Sequence, residues 1–321
     1  MKRALVVGIN NYPRCPLQGC INDAKSFRDI IEKNGDKSPN FDVRYVPDVS
    51  TKSELKILIR ELFSGGCDTE IFYFSGHGFI NDLGGYLITP DYSEGDEGVS
   101  MSEILAMANN SSSKNRMIIL DCCHSGAMGN FDIKNGNCHI AEGVTILTSS
   151  KKDQTSLEIN GQGVFTTLLL EALKGGAADL SGHITPGSLY SYIDQALGPW
   201  DQRPVFKTNI TRFTSLKKVN PRISVDVLRK IVNYFPSPEN KFKLDPSFED
   251  TNTKVVEHKV IKPYAKEENI KIFKDLQKLQ SIGLVIPVDE DYMYFAAMKS
   301  KACRLTPLGC HYWNLVKNNR I

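Results

Sequence analysis

The sequence lacks the long apolar runs that membrane-spanning helices need. No stretch approaches the roughly 18 to 20 consecutive apolar residues of such a helix. The apolar segment Ala4–Val7 is short and is followed by Asn, Tyr and Pro instead of a small-residue cleavage site, so we interpret it as a strand and not as a secretion signal. With 41% hydrophobic and 24% charged residues, the chain is expected to be a globular cytoplasmic protein.

Cysteine spacing gives no sign of a disulfide framework or a zinc site. The chain has 8 cysteines, but it is long and shows no export signal, so a reducing compartment is expected. It contains no C-x-x-C pair, and the neighbours Cys122–Cys123, Cys138–His139 and Cys310–His311 lack chelating spacing. No zinc site is therefore predicted.

Charge divides the chain into two parts. Residues 222–321 carry 17 Lys and Arg against 12 Asp and Glu, whereas residues 1–221 carry 22 against 25. The segment 216–222, LKKVNPR, reads as a linker. We therefore predict a first domain at 1–216 and a second at 223–321. The net positive charge of the second domain is diffuse, and no nucleic-acid recognition motif stands out in it.

Two apolar segments end abruptly in small and reactive residues. Residues 117–126 read MIILDCCHSG, and residues 71–78 read IFYFSGHG. Ligands of open α/β sheets bind beyond the carboxyl ends of the strands. If the two strands are parallel neighbours, His77 and Cys123 emerge at one edge, as a thiol nucleophile and its proton-transfer partner require.

Strands alternate with helices along the first two thirds of the chain. Short β-rich segments are separated by segments with helical spacing, such as the one that runs from Asn22 or Asp23, as helix cap, to Lys33. This alternation predicts an α/β fold with a mostly parallel sheet and helices on both faces.

The same residues resemble the caspase and metacaspase family of cysteine peptidases, and its metacaspase branch most closely. SGHG is followed by DCCHSG, and His77 and Cys123 are 46 residues apart, close to the roughly 50 of caspase-type chains. The segments GCINDA, LTSSKKDQTS, GVFTTLLLEAL and QRPVF fit as well. The resemblance covers residues 3–210 and implies a caspase-like fold.

The resemblance also implies roles for individual residues. Cys123 would be the nucleophile and His77 the proton-transfer group, and the N–H groups of Gly78 and Cys123 would form the oxyanion hole. Asp23 and Asp121 match the two carboxylates that bind the Arg or Lys side chain before the cleaved bond. A free cysteine taken by itself is more often a buried structural residue, but SGHG at this distance favours the nucleophile for Cys123. For Asp23 the residues alone leave two alternatives open, a helix cap and a substrate-binding carboxylate.

Calcium and self-cleavage are two further family properties. Asp91, Glu94, Asp96 and Glu97 are acidic, but they lack a regular ligand pattern, and Asn130 stands where an acid would strengthen a calcium site. We therefore predict no cofactor, and calcium stays open as the alternative. A peptidase specific for basic residues would cut itself after Lys134, in the Gly/Asn-rich segment that follows the nucleophile.

The second domain resembles no family that we can name. Val225–Tyr234 and Ile270–Ile282 have helical spacing, Leu284–Val288 and Met293–Ala297 suggest a hairpin, and residues 305–316 suggest a final helix. This outline is that of a small α+β, winged-helix-like module. We expect it to bind a regulatory protein.

The sequence thus predicts a cysteine endopeptidase that cleaves protein or peptide substrates after Arg or Lys, in regulated proteolysis such as bacterial defence or cell death. Two other classes stay open. One is a catalytically silent adaptor that keeps the fold, which the presence of both His77 and Cys123 disfavours. The other is a regulator whose basic second domain binds nucleic acid.

Overall fold

The structure is a computed structural model that describes residues 1–122, 139–149, 158–159, 162–197 and 203–321. The chain divides into two compact units, Met1–Asn220 and Pro221–Ile321. Each unit has its own sheet and its own helices, and each is described separately below.

The first unit alternates strands and helices, as the sequence pattern predicts. In chain order its elements are β1 (Lys2–Gly8), α1 (Cys20–Ile31), β2 (Asp42–Pro47), α2 (Lys52–Leu62), β3 (Thr69–Ser75), β4 (Gly78–Asn81), β5 (Gly84–Leu87), β6 (Val99–Ser100), α3 (Met101–Asn110), β7 (Asn115–Asp121), β8 (Val144–Thr148), β9 (Glu158–Ile159), β10 (Gln162–Gly163), α4 (Val164–Glu171), a π-helical turn (Ala172–Gly176), β11 (His183–Ile184), α5 (Pro186–Leu197), β12 (Val205–Asn209) and β13 (Lys217–Lys218).

A six-stranded sheet in the order β12-β8-β7-β3-β1-β2 forms the centre of this unit. Every neighbouring pair is parallel except β12 with β8. Side chains alternate between the faces of a strand, so a sheet covered on both sides needs apolar residues at every position. β1 shows this: Leu5 and Val7 enter one apolar cluster, while Ala4 and Val6 enter the other.

Helices cover both faces of this sheet. The α1 residues Ala24, Phe27 and Ile31 recur at helical spacing and pack with α4 and α5 in one cluster. The α2 residues Leu58 and Leu62 belong to the opposite cluster, to which α3 also contributes. The predicted fold class, a mostly parallel sheet with helices on both faces, is confirmed.

The second unit is α+β. Its elements are α6 (Val225–Arg229), α7 (Ile231–Tyr234), β14 (Lys241–Lys243), a 3₁₀ turn (Pro246–Phe248), α8 (Glu267–Ser281), β15 (Val285–Val288), α9 (Met293–Met298), β16 (Ala302–Leu305) and α10 (Pro307–Lys317). The strands form an antiparallel sheet in the order β14-β16-β15. This order places the first strand beside the last, and the unit fits the predicted α+β outline.

The second strand of the predicted hairpin was wrong. Residues 293–297 form a helix, and the strand that pairs with β15 is β16. Aromatic residues at 292, 294 and 295 favour a strand. The buried residues, however, are Met293, Ala296 and Ala297, which have i, i+3, i+4 spacing, so packing of one helical face decides the conformation.

Among the described residues, no helix combines the length and the apolar composition that crossing a bilayer requires.

Candidate active site at the ends of β3 and β7

The strands β3 and β7 are parallel neighbours, and their register is matched to the last residue. Ser75 lies opposite Asp121, and the Gly76 N–H donates to the Asp121 carbonyl at 3.3 Å. His77 and Cys123 each follow this last pair by two residues. Cys123 and the loop after it lie outside the described residues, so its position beside His77 stays a prediction.

The His77 ring is held by a backbone carbonyl. Its Nε2 lies 2.7 Å from the carbonyl oxygen of Cys15. A carbonyl oxygen only accepts hydrogen bonds, so Nε2 carries the hydrogen, and Nδ1 of the neutral ring has a lone pair that accepts a proton. This tautomer suits a group that takes a proton from a thiol.

The backbone of His77 is fixed as well. Its N–H donates to the Tyr12 hydroxyl at 3.0 Å, and its carbonyl accepts from the Ile88 N–H at 3.0 Å. Sequence reasoning missed both Tyr12 and Cys15. They lie in an irregular loop with no periodic pattern, and the contacts join residues more than 60 positions apart.

Gly78 begins β4, opposite Leu87 in β5. It is half-buried and carries no side chain that would obstruct a substrate carbonyl. Its role as an oxyanion donor stays a prediction, because the second predicted donor, the N–H of Cys123, is outside the described residues.

Asp23 and Asp121 are buried, with exposed fractions of 3% and 8%. Asp121 is the last residue of β7, and Asp23 lies in the first turn of α1. The predicted helix cap at Asn22 or Asp23 was wrong, since α1 begins at Cys20 after Gly19 and has no side-chain cap. The capping function therefore does not explain why Asp23 is present.

The two carboxylates converge on Gly163, the residue before α4. The Gly163 N–H donates to Asp23 Oδ2 at 3.4 Å. A Cβ placed on Gly163 would lie 2.9 Å from Asp121 Oδ2 and 3.6 Å from Asp23 Oδ2. Backbone N–H groups at a helix N-terminus favour nearby negative charge, so α4 partly offsets the cost of burying both acids.

A chain of hydroxyl groups orients Asp121. The Thr166 hydroxyl donates to Asp121 Oδ2 at 2.6 Å and lies 2.7 Å from the Tyr73 hydroxyl. Burial raises the pKa of Tyr73, so the phenol keeps its proton and donates to Thr166. Sequence reasoning assigned no role to Gly163, Thr166 or Tyr73, although GVFTT had been singled out as a family-like segment.

The protonation of Asp121 follows from these surroundings. Burial raises the pKa of the Asp121 carboxyl, and hydrogen bonds from Thr166 and Ser149 oppose the rise in part. Among the described residues, no Lys, Arg or His nitrogen lies within 4 Å of Asp121. The carboxyl is therefore a buried acid with hydroxyl donors and no cation in the described part of the chain.

Two acidic residues of the 91–97 loop contact Lys52, the first residue of α2. The Asp91 carboxylate accepts from the Lys52 N–H at 3.1 Å and so caps α2. The Asp96 carboxylate pairs with the Lys52 ammonium. Within the described ranges, no three His, Cys, Asp or Glu side chains come together as a metal site would require. Asn130 and the predicted self-cleavage position, Lys134, lie outside those ranges.

Comparisons with known proteins point to one family. A family model described as the caspase domain, Peptidase C14, matches residues 1–220. No curated protein matches the sequence. Among solved structures, protein GSU0716 from Geobacter sulfurreducens is similar, with a TM-score of 0.50 and 18% identity over 68% of this chain and 97% of that chain. At this identity the likeness concerns the fold alone.

Proposed function

Because the chain belongs to the caspase-domain family, we propose that it is a cysteine endopeptidase that cleaves protein substrates after Arg or Lys. The observation that carries the proposal is the register of β3 and β7, which ends two residues before His77 and two before Cys123. The paired carboxylates at Gly163 support the preference for basic residues.

In the proposed reaction, His77 Nδ1 accepts the proton of the Cys123 thiol as the sulfur attacks the carbonyl carbon of the Arg or Lys residue. The oxyanion of the tetrahedral intermediate accepts from the N–H groups of Gly78 and Cys123. The imidazolium then donates this proton to the leaving amine as the C–N bond breaks, and a thioester with Cys123 remains. Water then hydrolyses the thioester and frees Cys123. The Cys15 carbonyl would stabilise the imidazolium through Nε2–H throughout.

The proposed specificity comes from charge. Two carboxylates within reach of one guanidinium or ammonium neutralise it and accept its hydrogen bonds. An Asp side chain before the cleaved bond would instead meet two like charges in a buried place, which is costly. We therefore expect Arg and Lys substrates to be cleaved and Asp substrates to be left intact.

The test is a panel of fluorogenic peptides with Arg, Lys or Asp before the cleaved bond. The wild-type chain should cleave the first two, and both Cys123→Ala and His77→Ala should abolish turnover. Asp23→Ala should lose the preference for basic residues while iodoacetamide still alkylates Cys123. Turnover that survives in Cys123→Ala would remove the thiol mechanism, and wild-type alkylation without any turnover would favour the silent adaptor.

We also propose that the second unit binds a regulatory protein, in regulated proteolysis such as bacterial defence. Its exposed residues Tyr292 and Tyr294 each contact exposed Phe295, with ring centroids 6.1 and 5.3 Å apart. Exposed aromatic clusters are typical of protein interfaces. Three solvent-facing lysines of α8 form ion pairs with carboxylates: Lys271, Lys274 and Lys278. Salt-sensitive binding of the full chain to DNA would contradict this proposal.

A further inference from the structure

The Tyr12 hydroxyl joins two backbone segments at the candidate site. It accepts from the His77 N–H at 3.0 Å and donates to the Ile88 carbonyl at 3.2 Å. The first group can only donate and the second can only accept, so the single phenolic hydrogen is committed to Ile88. Tyr12 is 6% exposed, and burial raises its pKa, so it stays a phenol.

The glycine before His77 reflects this contact. A Cβ on Gly76 would lie 2.5 Å from the Tyr12 hydroxyl oxygen and 2.8 Å from Phe74 Cζ, both closer than real Cβ contacts. Gly76 has no positive φ that would call for glycine on backbone grounds. The missing side chain therefore leaves room at the strand end for both the Tyr12 hydroxyl and the Phe74 ring.

The same loop holds the ring as well as the backbone of His77. The Tyr12 and His77 rings lie 4.5 Å apart between centroids at an angle of 59°. Three residues further along, the Cys15 carbonyl accepts from His77 Nε2. The loop closes on itself through the Leu17 N–H, which donates to the Asn10 carbonyl at 3.0 Å. One closed loop thus contacts His77 at its N–H, its ring and its Nε2.

Asp48 anchors the start of this loop. Its carboxylate accepts from the N–H groups of Asn10 and Asn11, at 2.8 and 3.1 Å, and from the Asn11 side-chain amide at 2.6 Å. The backbone of Asp48 has φ of 51°, a left-handed conformation that Asp tolerates better than most residues. This conformation directs one side chain at two consecutive N–H groups, so the loop leaves β1 in a fixed direction.

We propose that Tyr12 is a positioning residue for His77. Tyr12 holds the His77 N–H and contacts the His77 ring, and the same loop presents the Cys15 carbonyl to Nε2. Together these contacts keep Nδ1 as the proton-accepting nitrogen and direct Nδ1 away from the loop. This inference rests on the proposed function for its effect on turnover, but its effect on the ring can be measured without turnover.

The test replaces Tyr12 by Phe, which keeps the ring and removes the hydroxyl. We expect kcat on an Arg substrate to fall roughly 10- to 100-fold with KM little changed, because a small displacement of the acid–base group costs rate and not ground-state binding. In ¹⁵N NMR spectra of histidine-labelled protein, the His77 ring signals, assigned with His77→Gln, should move from the Nε2–H pattern toward a mixture of tautomers.

Tyr45→Phe is the matched control. Tyr45 lies in β2, the edge strand two positions from β3, and its hydroxyl also donates to a backbone carbonyl, that of Ile21, at 3.4 Å. It should leave both readouts unchanged. Asp48→Asn, which weakens the anchor without touching His77, should shift the His77 signals in the same direction as Tyr12→Phe but less far. It keeps the test valid if Tyr12→Phe does not fold.

The outcomes separate the two proposals. Wild-type kcat and wild-type His77 signals in Tyr12→Phe would overturn the positioning role, as would an equal loss of rate in Tyr45→Phe. An inactive wild type whose His77 signals still respond to Tyr12→Phe would overturn the peptidase proposal and leave the positioning role standing.

Discussion

Among the carboxyl groups that the two units bury, Asp121 in the first and Asp275 in the second have opposite pKa shifts. Asp121 and Asp275 are both 8% exposed. Asp275 accepts from the Lys230 ammonium at 2.7 Å and from the Tyr234 hydroxyl at 2.8 Å. Although burial acts to raise it, these partners bring the pKa of Asp275 below its ordinary value, whereas burial raises the pKa of Asp121.

The difference separates a structural acid from one suited to binding. A buried charge is tolerated when a partner compensates for lost hydration, and Lys230 supplies that compensation inside the second unit. Asp121 has hydroxyl donors and a nearby helix N-terminus, which reduce the cost without cancelling the charge. The cationic side chain of a substrate would pair with the Asp121 carboxylate, as the Lys230 ammonium pairs with Asp275.

Among the variants that test this comparison, Asp121→Asn should have the largest effect, because it keeps the shape of the side chain and removes its charge. We expect kcat/KM for an Arg substrate to fall about 100-fold, since a hydrogen bond to a charged group contributes about 1.5–3 kcal/mol. A fluorogenic Arg peptide measures this loss. Rates within twofold of wild type would show that Asp121 does not contact the basic side chain.

The same variant tests the charge of Asp121 through stability. Its pKa is raised in the folded state, so the stabilisation from the bound proton is present below the ordinary value of 3.8 and is lost as the pH rises through the raised pKa. Asp121→Asn has no such loss. The melting temperature of the variant minus that of wild type should therefore be more positive at pH 7 than at pH 4. The same difference at both pH values would contradict the raised pKa.

A smaller effect is expected from Gly163→Ala, which narrows the space between the acids. Gly163 has φ of −64° and ψ of 138°, which any residue adopts, so the substitution does not strain the backbone. The new Cβ would crowd Asp121 Oδ2, and overpacking of this kind costs about 1–3 kcal/mol. We expect kcat/KM for Arg peptides to fall about tenfold while alkylation of Cys123 is unchanged.

Gly187→Ala is the control for that variant. Gly187 lies in α5, where the nearest atom to a new Cβ would be Thr185 Oγ1 at 4.0 Å. It should be neutral or slightly stabilising, because alanine favours a helix more than glycine does. Equal losses in both variants would indicate a general effect on the fold instead of one on the carboxylate pair.

The smallest expected effect removes the partner in the second unit. Lys230→Met should destabilise the chain by about 1–2 kcal/mol, less than for a fully buried pair because 47% of the Lys230 side chain is exposed. The pKa of Asp275 is lowered, so this stabilisation is present above 3.8 and is lost as the pH falls. Urea unfolding at pH 7 and pH 3 measures the difference, which should shrink at the lower pH.

Lys271→Met provides the contrast on α8. Its ion pair with Glu267 is exposed on both sides, at 72% and 83%, so water screens it. No measurable change in unfolding is expected. If this variant cost as much as Lys230→Met, burial of the carboxyl would not be what distinguishes Asp275.

The ends of β3 and β7 could be predicted from the sequence because the polarity of the residues changes there within one or two positions. The apolar segments before SGHG and DCCHSG became β3 and β7 nearly to the residue. Residues 293–297 were misread because aromatic composition favours a strand, while the buried face that makes them a helix depends on neighbours far away in the chain. Local propensity decides little when packing opposes it.

The sequence by itself determined the alternation of strands and helices and which residues follow β3 and β7, because apolar periodicity and abrupt changes of polarity are local patterns. The resemblance to a family is what singled out Asp23 and Asp121. Only the tertiary structure decided that both acids converge on Gly163, and that a loop near the start of the chain holds His77 through Tyr12 and Cys15. These contacts join backbone and side-chain groups distant in the chain. Hydrogen bonds between residues distant in the chain produce no periodic pattern in the sequence, so only the folded structure shows them.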